Sequence, residues 1–326
     1  MHLPKHLPRT LIVGLLVLRA AVSPALGQHT ETCPPQVPAL LTALQVQEGM
    51  TQARDRGFLW RLTKGDHSSY LYGTIHMAKR DWAFPGPKIL QALREIDTVA
   101  LEIDPLDPQI RQELRSGLPG SPAKLELPAA LKERIERRMA FECLPPETFY
   151  KLTPMLQVLA LSFLAGRREG LEPAYGIDAV LAGIGRGAKK KVVSLETTET
   201  QLRAGHAATE GGSVAPLEKA LDELESGRAA ANLARLATTW AEGDLVQLQR
   251  YAQAANDDSR SETGRSLSSQ VLDDRNRSMA TGIDALHSSG SKVFAAVGSL
   301  HMIGPLGLPS LMSEKGYKVE SIPLTP

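Results

Sequence analysis

The chain has 326 residues with 37 basic and 36 acidic side chains, a net charge of +1, 42% hydrophobic residues and 5% aromatic residues. So even a charge balance gives no electrostatic footprint for nucleic acid or an anionic membrane surface, and the few aromatic rings argue against a carbohydrate-stacking or peptide-groove binder. The apolar content can fill one large core or two modest ones.

At the N-terminus, Lys5 and Arg9 precede the apolar run Leu11–Val22, and Ala25-Leu26-Gly27 follows it. This reads as a signal peptide over residues 1–27, cut before Gln28. An apolar run of about 12 residues is too short for a hydrocarbon layer that takes about 20. The expectation is an exported, periplasmic protein with no membrane span after cleavage. Residues 28–50 are Pro-rich and polar and are expected as a tail, with 51–326 as a single domain. Cys33 and Cys143 are the two cysteines. An isolated pair in an oxidising compartment is expected to be bridged, and neither has the spacing of a zinc-thiolate site.

"GFLWRLTKGDHSSYLYGTIH" is two apolar runs about Gly65-Asp66, the pattern of a hairpin. "PGPKILQALREI" is helical, with Pro87 in its first turn, and "TVALEID" is a short strand closed by Pro105. The C-terminal region repeats this order: "KVFAAVGSLHM" as a strand, "LGLPSLMSEKG" as a helix with Gly316 as its C-cap, and "YKVESIPL" as a strand. Helical faces are expected at Leu131–Met139, Phe149–Leu164, Leu217–Leu236, Leu245–Ala252 and Val271–Leu286, with a polar loop over 256–270. "GIDAVLAGIGRGAKKKVVSLE" reads as helix, basic turn and strand Val192–Leu195. The fold class is therefore α/β: a mixed sheet from two βαβ-like units at the two ends of the chain, with a large helical insertion between them.

Each unit carries Gly-x-x-His-Met, as Gly73, His76 and Met77 and again as Gly298, His301 and Met302. Composition alone gives about 0.016 such motifs per chain, so two copies need a structural or chemical cause. His76, Glu102, Glu196 and His301 each follow an apolar strand, and open α/β sheets bind ligands outside the carboxyl ends of their strands. Two imidazoles and two carboxylates there suit Zn²⁺, Mn²⁺, Co²⁺ or Fe²⁺. Gly73 and Gly298 would let backbone or substrate approach closely, and Met77 and Met302 read as core filler. Plainer readings stand beside these: Glu102 as a solvated strand-end acid, and Glu196 as the residue before a helix capped by Thr197 or Thr198. Arg275-Asn276 suit a substrate carbonyl, carboxylate or phosphate, or an exposed helix surface. Tyr175 and Asp178 in "AYGID" lie at a helix start, where they contact substrate or cap the helix. No GxSxG, HExxH, P-loop or Rossmann pattern occurs.

The two GxxH motifs, Glu102, "SLETTETQ", Arg275-Asn276 and "AVGSLHMIGPLGLPSLMSEKGYKV" together resemble the TraB/GumN (TraB/PrgY/GumN) family, relatives of the Tiki metalloproteases. "CPPQ" at 33–36 and "AFPGP" at 83–87 resemble its exported bacterial branch, in which a second cysteine near Cys143 is usual. The resemblance implies an α/β core with a metal-dependent hydrolase site on His76, Glu102 and His301, using a divalent Mn, Co or Zn ion on a peptide or a small ester or amide. Glu196, Arg275 and Asn276 match further family motifs and join Glu102 as catalytic candidates. The ion would activate water and polarise the carbonyl while Glu102 or Glu196 shuttles the proton. The resemblance also admits a non-catalytic binder of a peptide signal or of the polysaccharide-export machinery, and a haem-binding protein.

Overall fold

The computed structural model describes residues 33–34, 42–116, 127–206, 214–258 and 267–324, so the expected signal peptide lies outside the described residues. A six-stranded mixed sheet has the order β4-β3-β5-β2-β1-β6. Its strands are β1 (Phe58–Lys64), β2 (His67–Thr74), β3 (Thr98–Leu101), β4 (Lys191–Ser194), β5 (Val293–Gly298) and β6 (Lys318–Ile322). β1 and β2 form the expected antiparallel hairpin about Gly65-Asp66, with β6 antiparallel on the far side of β1. β2, β5, β3 and β4 run parallel. β3 and β5 are buried at every position, as continuous apolar runs covered on both faces must be.

The two GxxH units share this sheet but interleave. β5 lies between β2 and β3, so neither unit is a βαβ of adjacent strands. β5 has the most apolar strand sequence, VFAAVG, and takes the central place where both of its edges are paired. The register sets Thr74 beside Gly298 and Leu101 beside Ala296, which brings the strand ends before His76, Glu102 and His301 to one edge.

Twelve α-helices occur among the described residues. α1 (Ala43–Thr51) falls within the stretch expected as a tail. Its capping box, in which Thr42 and Gln45 each satisfy the other's backbone, starts a helix that has no buried residue, so its apolar pattern gave no sign of it. α2 (Pro87–Arg94), α6 (Ile177–Gly187), α11 (Leu267–Ser288) and α12 (Leu308–Glu314) share the sheet's core. α3 (Pro108–Ser116) and α7 (Thr198–His206) follow β3 and β4. The insertion holds α4 (Ala129–Phe141), α5 (Pro154–Leu164), α8 (Ala215–Glu225), α9 (Arg228–Ala241) and α10 (Leu245–Asp258).

Three expected spans differ. Leu217–Leu236 is two helices, because Gly227 at φ 76° breaks the chain between α8 and α9. Pro154 confines the second half of Phe149–Leu164 to α5, leaving a 3-10 turn at Pro146–Phe149. Helices α10 and α11 run further into the expected loop 256–270 than its polarity indicated. α4, α5 and α8 bury Leu131, Ile135, Met139, Val158, Leu161, Leu217 and Leu221 in a second core of their own.

Cys33 and Cys143 are joined, spanning 110 residues and fastening the N-terminal segment beyond α4. Closing a loop of that length stabilises the folded state by about 4–5 kcal/mol in the chain-entropy model. Reduction, or Cys33→Ser with Cys143→Ser, should lower the melting temperature by several degrees. Thermal unfolding with and without reductant checks this, and an unchanged transition would show that the tether contributes nothing.

Candidate functional site

β2 and β5 end side by side, and the turns after them are tied by Ser299 Oγ donating to the Thr74 carbonyl at 2.5 Å. His76 follows Thr74 by two residues. Its Nδ1 donates to Asp178 Oδ2 at 2.7 Å, while Thr74 Oγ1 donates to Asp178 Oδ1 at 2.7 Å. Both oxygens of Asp178 are thereby used in fixing β2's end to the first turn of α6. His301 lies in a 3-10 turn, Ser299–Met302. Its Nδ1 meets Asn276 Oδ1, and Asn276 Nδ2 donates to the Leu306 carbonyl at 2.8 Å. Because the amide nitrogen is committed to Leu306, Asn276 presents its oxygen to the ring, so His301 carries its proton on Nδ1 and leaves Nε2 bare.

Glu102 immediately follows β3, the neighbour of β5. Its Oε1 accepts the Gly298 N–H at 2.6 Å and lies 3.4 Å from His301 Nε2. A Cβ added at Gly298 would stand 2.8 Å from Glu102 Oε1 and 3.3 Å from His76 Nε2. Glycine is what lets this carboxylate and the His76 imidazole approach the end of β5. The β3–β4 ladder continues one step beyond the strands, with the Glu196 N–H donating to the Glu102 carbonyl at 2.9 Å, so the two glutamates sit next to each other. Arg275, on α11, joins them. Its Nε donates to Glu196 Oε1 at 2.8 Å, and its Nη2 donates to Glu196 Oε2 at 2.8 Å and Glu102 Oε2 at 3.0 Å. Gln201 donates to Glu196 at 2.7 Å and to Glu102 at 3.1 Å.

These contacts fix the charge states. Burial opposes ionisation of Glu102, but the positive charges of His301, His76 and Arg275 and the Gly298 N–H hold it down to about 2. Burial also drives His301 down to about 4, against the pull of Glu102. Partial desolvation in the cavity works against the His76 cation, although its side chain is 49% exposed, and the Asp178 carboxylate, with Glu102 beyond it, lifts His76 to about 9. At neutral pH the bare Nε2 of His301 thus faces an ionised carboxylate oxygen, two electron-pair donors with no hydrogen between them.

The site opens into a cavity of about 540 Å³, within the roughly 300–1,000 Å³ of ligand pockets. His76, Glu102, Gln201, Arg275, Gly298 and His301 line it. A larger hollow of about 730 Å³ beside α1 is lined by Arg54, Arg56 and Arg80 and reaches none of the strand-end residues.

The family model for the TraB/PrgY/gumN family matches residues 58–321, from β1 to β6. The chain belongs to the TraB/PrgY/gumN family. No curated protein and no solved structure matches it significantly. In this TraB/PrgY/gumN protein the structure gathers His76, Glu102, Glu196, Arg275, Asn276 and His301, but in unequal positions. Asn276 is 1% exposed and supports His301 from behind. Asp178, expected beside substrate, supports His76 in the same way. Tyr175 packs against the main core, and Gly73 faces Met302 and Phe58 while its carbonyl accepts from Trp240, so neither lines the cavity. Glu196 accepts from Arg275 twice and from Gln201 once. Gln201 was not foreseen. Its signal was its place one turn into the helix that starts after Glu196, which aims it back at the strand ends.

Among the described residues no group of three or more His, Cys, Asp or Glu side chains is gathered so as to hold a metal ion. Arg275 supplies the positive charge between Glu102 and Glu196. On the other side of Glu102, His301 Nε2 and Glu102 Oε1 are separated by 3.4 Å, and each imidazole has its Nδ1 held by an oxygen, as the supporting groups of histidine ligands do.

Two outcomes follow for metal-free protein. His301, depressed in the fold, costs stability progressively as pH falls from 6.5 to about 4, and Glu102 adds to the loss below 4.5. The contribution of His76, raised in the fold, is complete below 6.5 and is lost as pH rises through about 9. In EDTA the melting temperature should peak near pH 6.5 and fall on both sides, and a flat profile from pH 5 to 9 would contradict this. Arg275→Met leaves two buried carboxylates facing each other and should cost about 3–5 kcal/mol in urea unfolding, with Glu196→Gln restoring part of the loss.

Proposed function

We propose that this protein is a metal-dependent hydrolase of an amide or ester bond, with His76, His301 and Glu102 holding a divalent ion such as Mn²⁺, Co²⁺ or Zn²⁺. The reading rests on the opposed lone pairs of His301 Nε2 and Glu102 Oε1, 3.4 Å apart, an acceptor pair that a shared cation would bridge. A bound ion would lower the pKa of water and polarise a carbonyl. Glu102, ionised down to about pH 2, suits holding a cation better than shuttling a proton near neutrality. Glu196 anchors Arg275 through two hydrogen bonds. Arg275 Nη1 takes no part in that pair and belongs to a side chain lining the cavity, where it can donate to the substrate's carbonyl oxygen. Asp178 and Asn276 are positioning residues for the two imidazoles. The Cys33–Cys143 bridge supports an oxidising compartment, and we place the protein in the periplasm. Among the described residues no helix is long and apolar enough to cross a membrane.

Titration of chelator-stripped protein with Zn²⁺, Mn²⁺ and Co²⁺ by calorimetry tests this, with a screen of ester and peptide hydrolysis. His76→Ala, His301→Ala and Glu102→Gln should each lose most of the affinity, Asn276→Leu should lose about 10- to 100-fold, and Glu196→Gln should keep the ion. Wild-type protein that binds none of the three ions would remove the metallohydrolase reading.

A further inference from the structure

The cavity has two unlike walls. Its polar groups come from the sheet edge and from α7 and α11 beside it: His76, Glu102, Gln201, Arg275 and His301. The wall formed by the insertion is apolar, with Leu152, Leu156, Leu159 and Phe163 in and just before α5, and Leu233 and Leu236 on α9. α5 is apolar on two faces at once. Met155, Val158 and Leu161 fill the second core, against which Leu159 also packs, while Leu152, Leu156, Leu159 and Phe163 border the cavity at helical spacing. A helix apolar all round is normally covered all round, yet this second face borders a hollow of about 540 Å³, and Phe163 is 44% exposed.

We infer that this cavity takes the aliphatic chain of an acyl ester or acyl amide, with its carbonyl at the His76, Glu102 and His301 end. The chemistry at that end rests on the hydrolase reading; the chain site rests on the apolar wall. A peptide is the poorer fit, because each of its residues brings an N–H and a C=O that need partners, whereas the α5 and α9 residues named above present only hydrocarbon. A methylene chain has one polar end, as the cavity does. In the reaction the oxygen of water forms the new bond to the acyl carbon and the C–O or C–N bond breaks. The alcohol or amine departs with one of the water's protons and the other is released to solvent or taken up by the amine, leaving the carboxylate of the chain.

Two measurements decide the matter. The first uses no turnover: cis-parinaric acid, a fluorescent straight-chain acid, is titrated into metal-free protein and competed with laurate, acetate and a leucine-rich hexapeptide. Laurate should displace it and acetate should not. Leu156→Trp on α5 and Leu236→Trp on α9 should each weaken the probe at least tenfold. The two variants stand on different helices, so if one fails to fold the other decides. The second measures kcat/KM with Zn²⁺, Mn²⁺ or Co²⁺ on p-nitrophenyl esters and p-nitroanilides from two to twelve carbons. Burial of each methylene, about 0.8 kcal/mol, converts to a gain of up to about fourfold at 1.4 kcal/mol per decade. Probe binding with rising kcat/KM supports the inference. Probe binding and laurate competition without hydrolysis sustain the chain site while the hydrolase reading falls. Hydrolysis that ignores chain length, with no probe bound, overturns the inference and leaves the hydrolase reading standing. Displacement by the hexapeptide in preference to laurate also overturns it.

Discussion

Arg275 between Glu102 and Glu196 is the contact on which the site depends. Two carboxylates at adjacent strand ends, 4% and 8% exposed, repel each other strongly in a medium where charge is poorly screened. One planar guanidinium with several donors answers both, which the single ammonium of a lysine could not do with the same geometry. It reaches them from α11, the long helix leading into β5, and the next residue of that helix, Asn276, holds His301. A single helical turn therefore sets both the charge balance at β3 and β4 and the orientation of the imidazole after β5.

The same economy appears in the insertion. Its helices build a separate small core, and that core positions α5 and α9 over the sheet edge. The strand ends and the helices beside them bring the polar groups, and the insertion brings hydrocarbon. Neither part makes an enclosed site without the other, because the sheet edge has no roof and the α5 row has no polar floor.

Much of this could be read from the chain. The hairpin, the helix from Pro87, β3, β5, α12 and β6 appear in local patterns, since strands buried on both faces leave apolar runs and turns leave Gly, Asp and Pro. The convergence of His76, Glu102 and His301 was legible from their shared place after strands. The strand order was not. Nothing local says that β5 inserts between β2 and β3, since that choice is made by which apolar run best tolerates burial on both faces and both edges. The supporting roles of Asp178 and Asn276 were hidden for a related reason: a residue that grips a histidine from behind looks in sequence like one that faces substrate. α1 was missed because a helix with no buried face leaves no periodic signature, only the Thr42 and Gln45 cap.

The central place of β5 also bears on how the molecule comes into being. Its pairing with β2 joins turns 225 residues apart, and β3 can enter the same sheet only through it. Such distant pairings are slow to form, because a long loop must close before any contact rewards it. A growing or threading chain that has delivered β1 to β4 has a hairpin and a separate parallel pair, with no strand between them. The two carboxylates then lack their arginine, and the hydrocarbon of α5 has no floor. Assembly of the strand-end cluster therefore waits for β5, and an unfinished chain holds its polar groups apart.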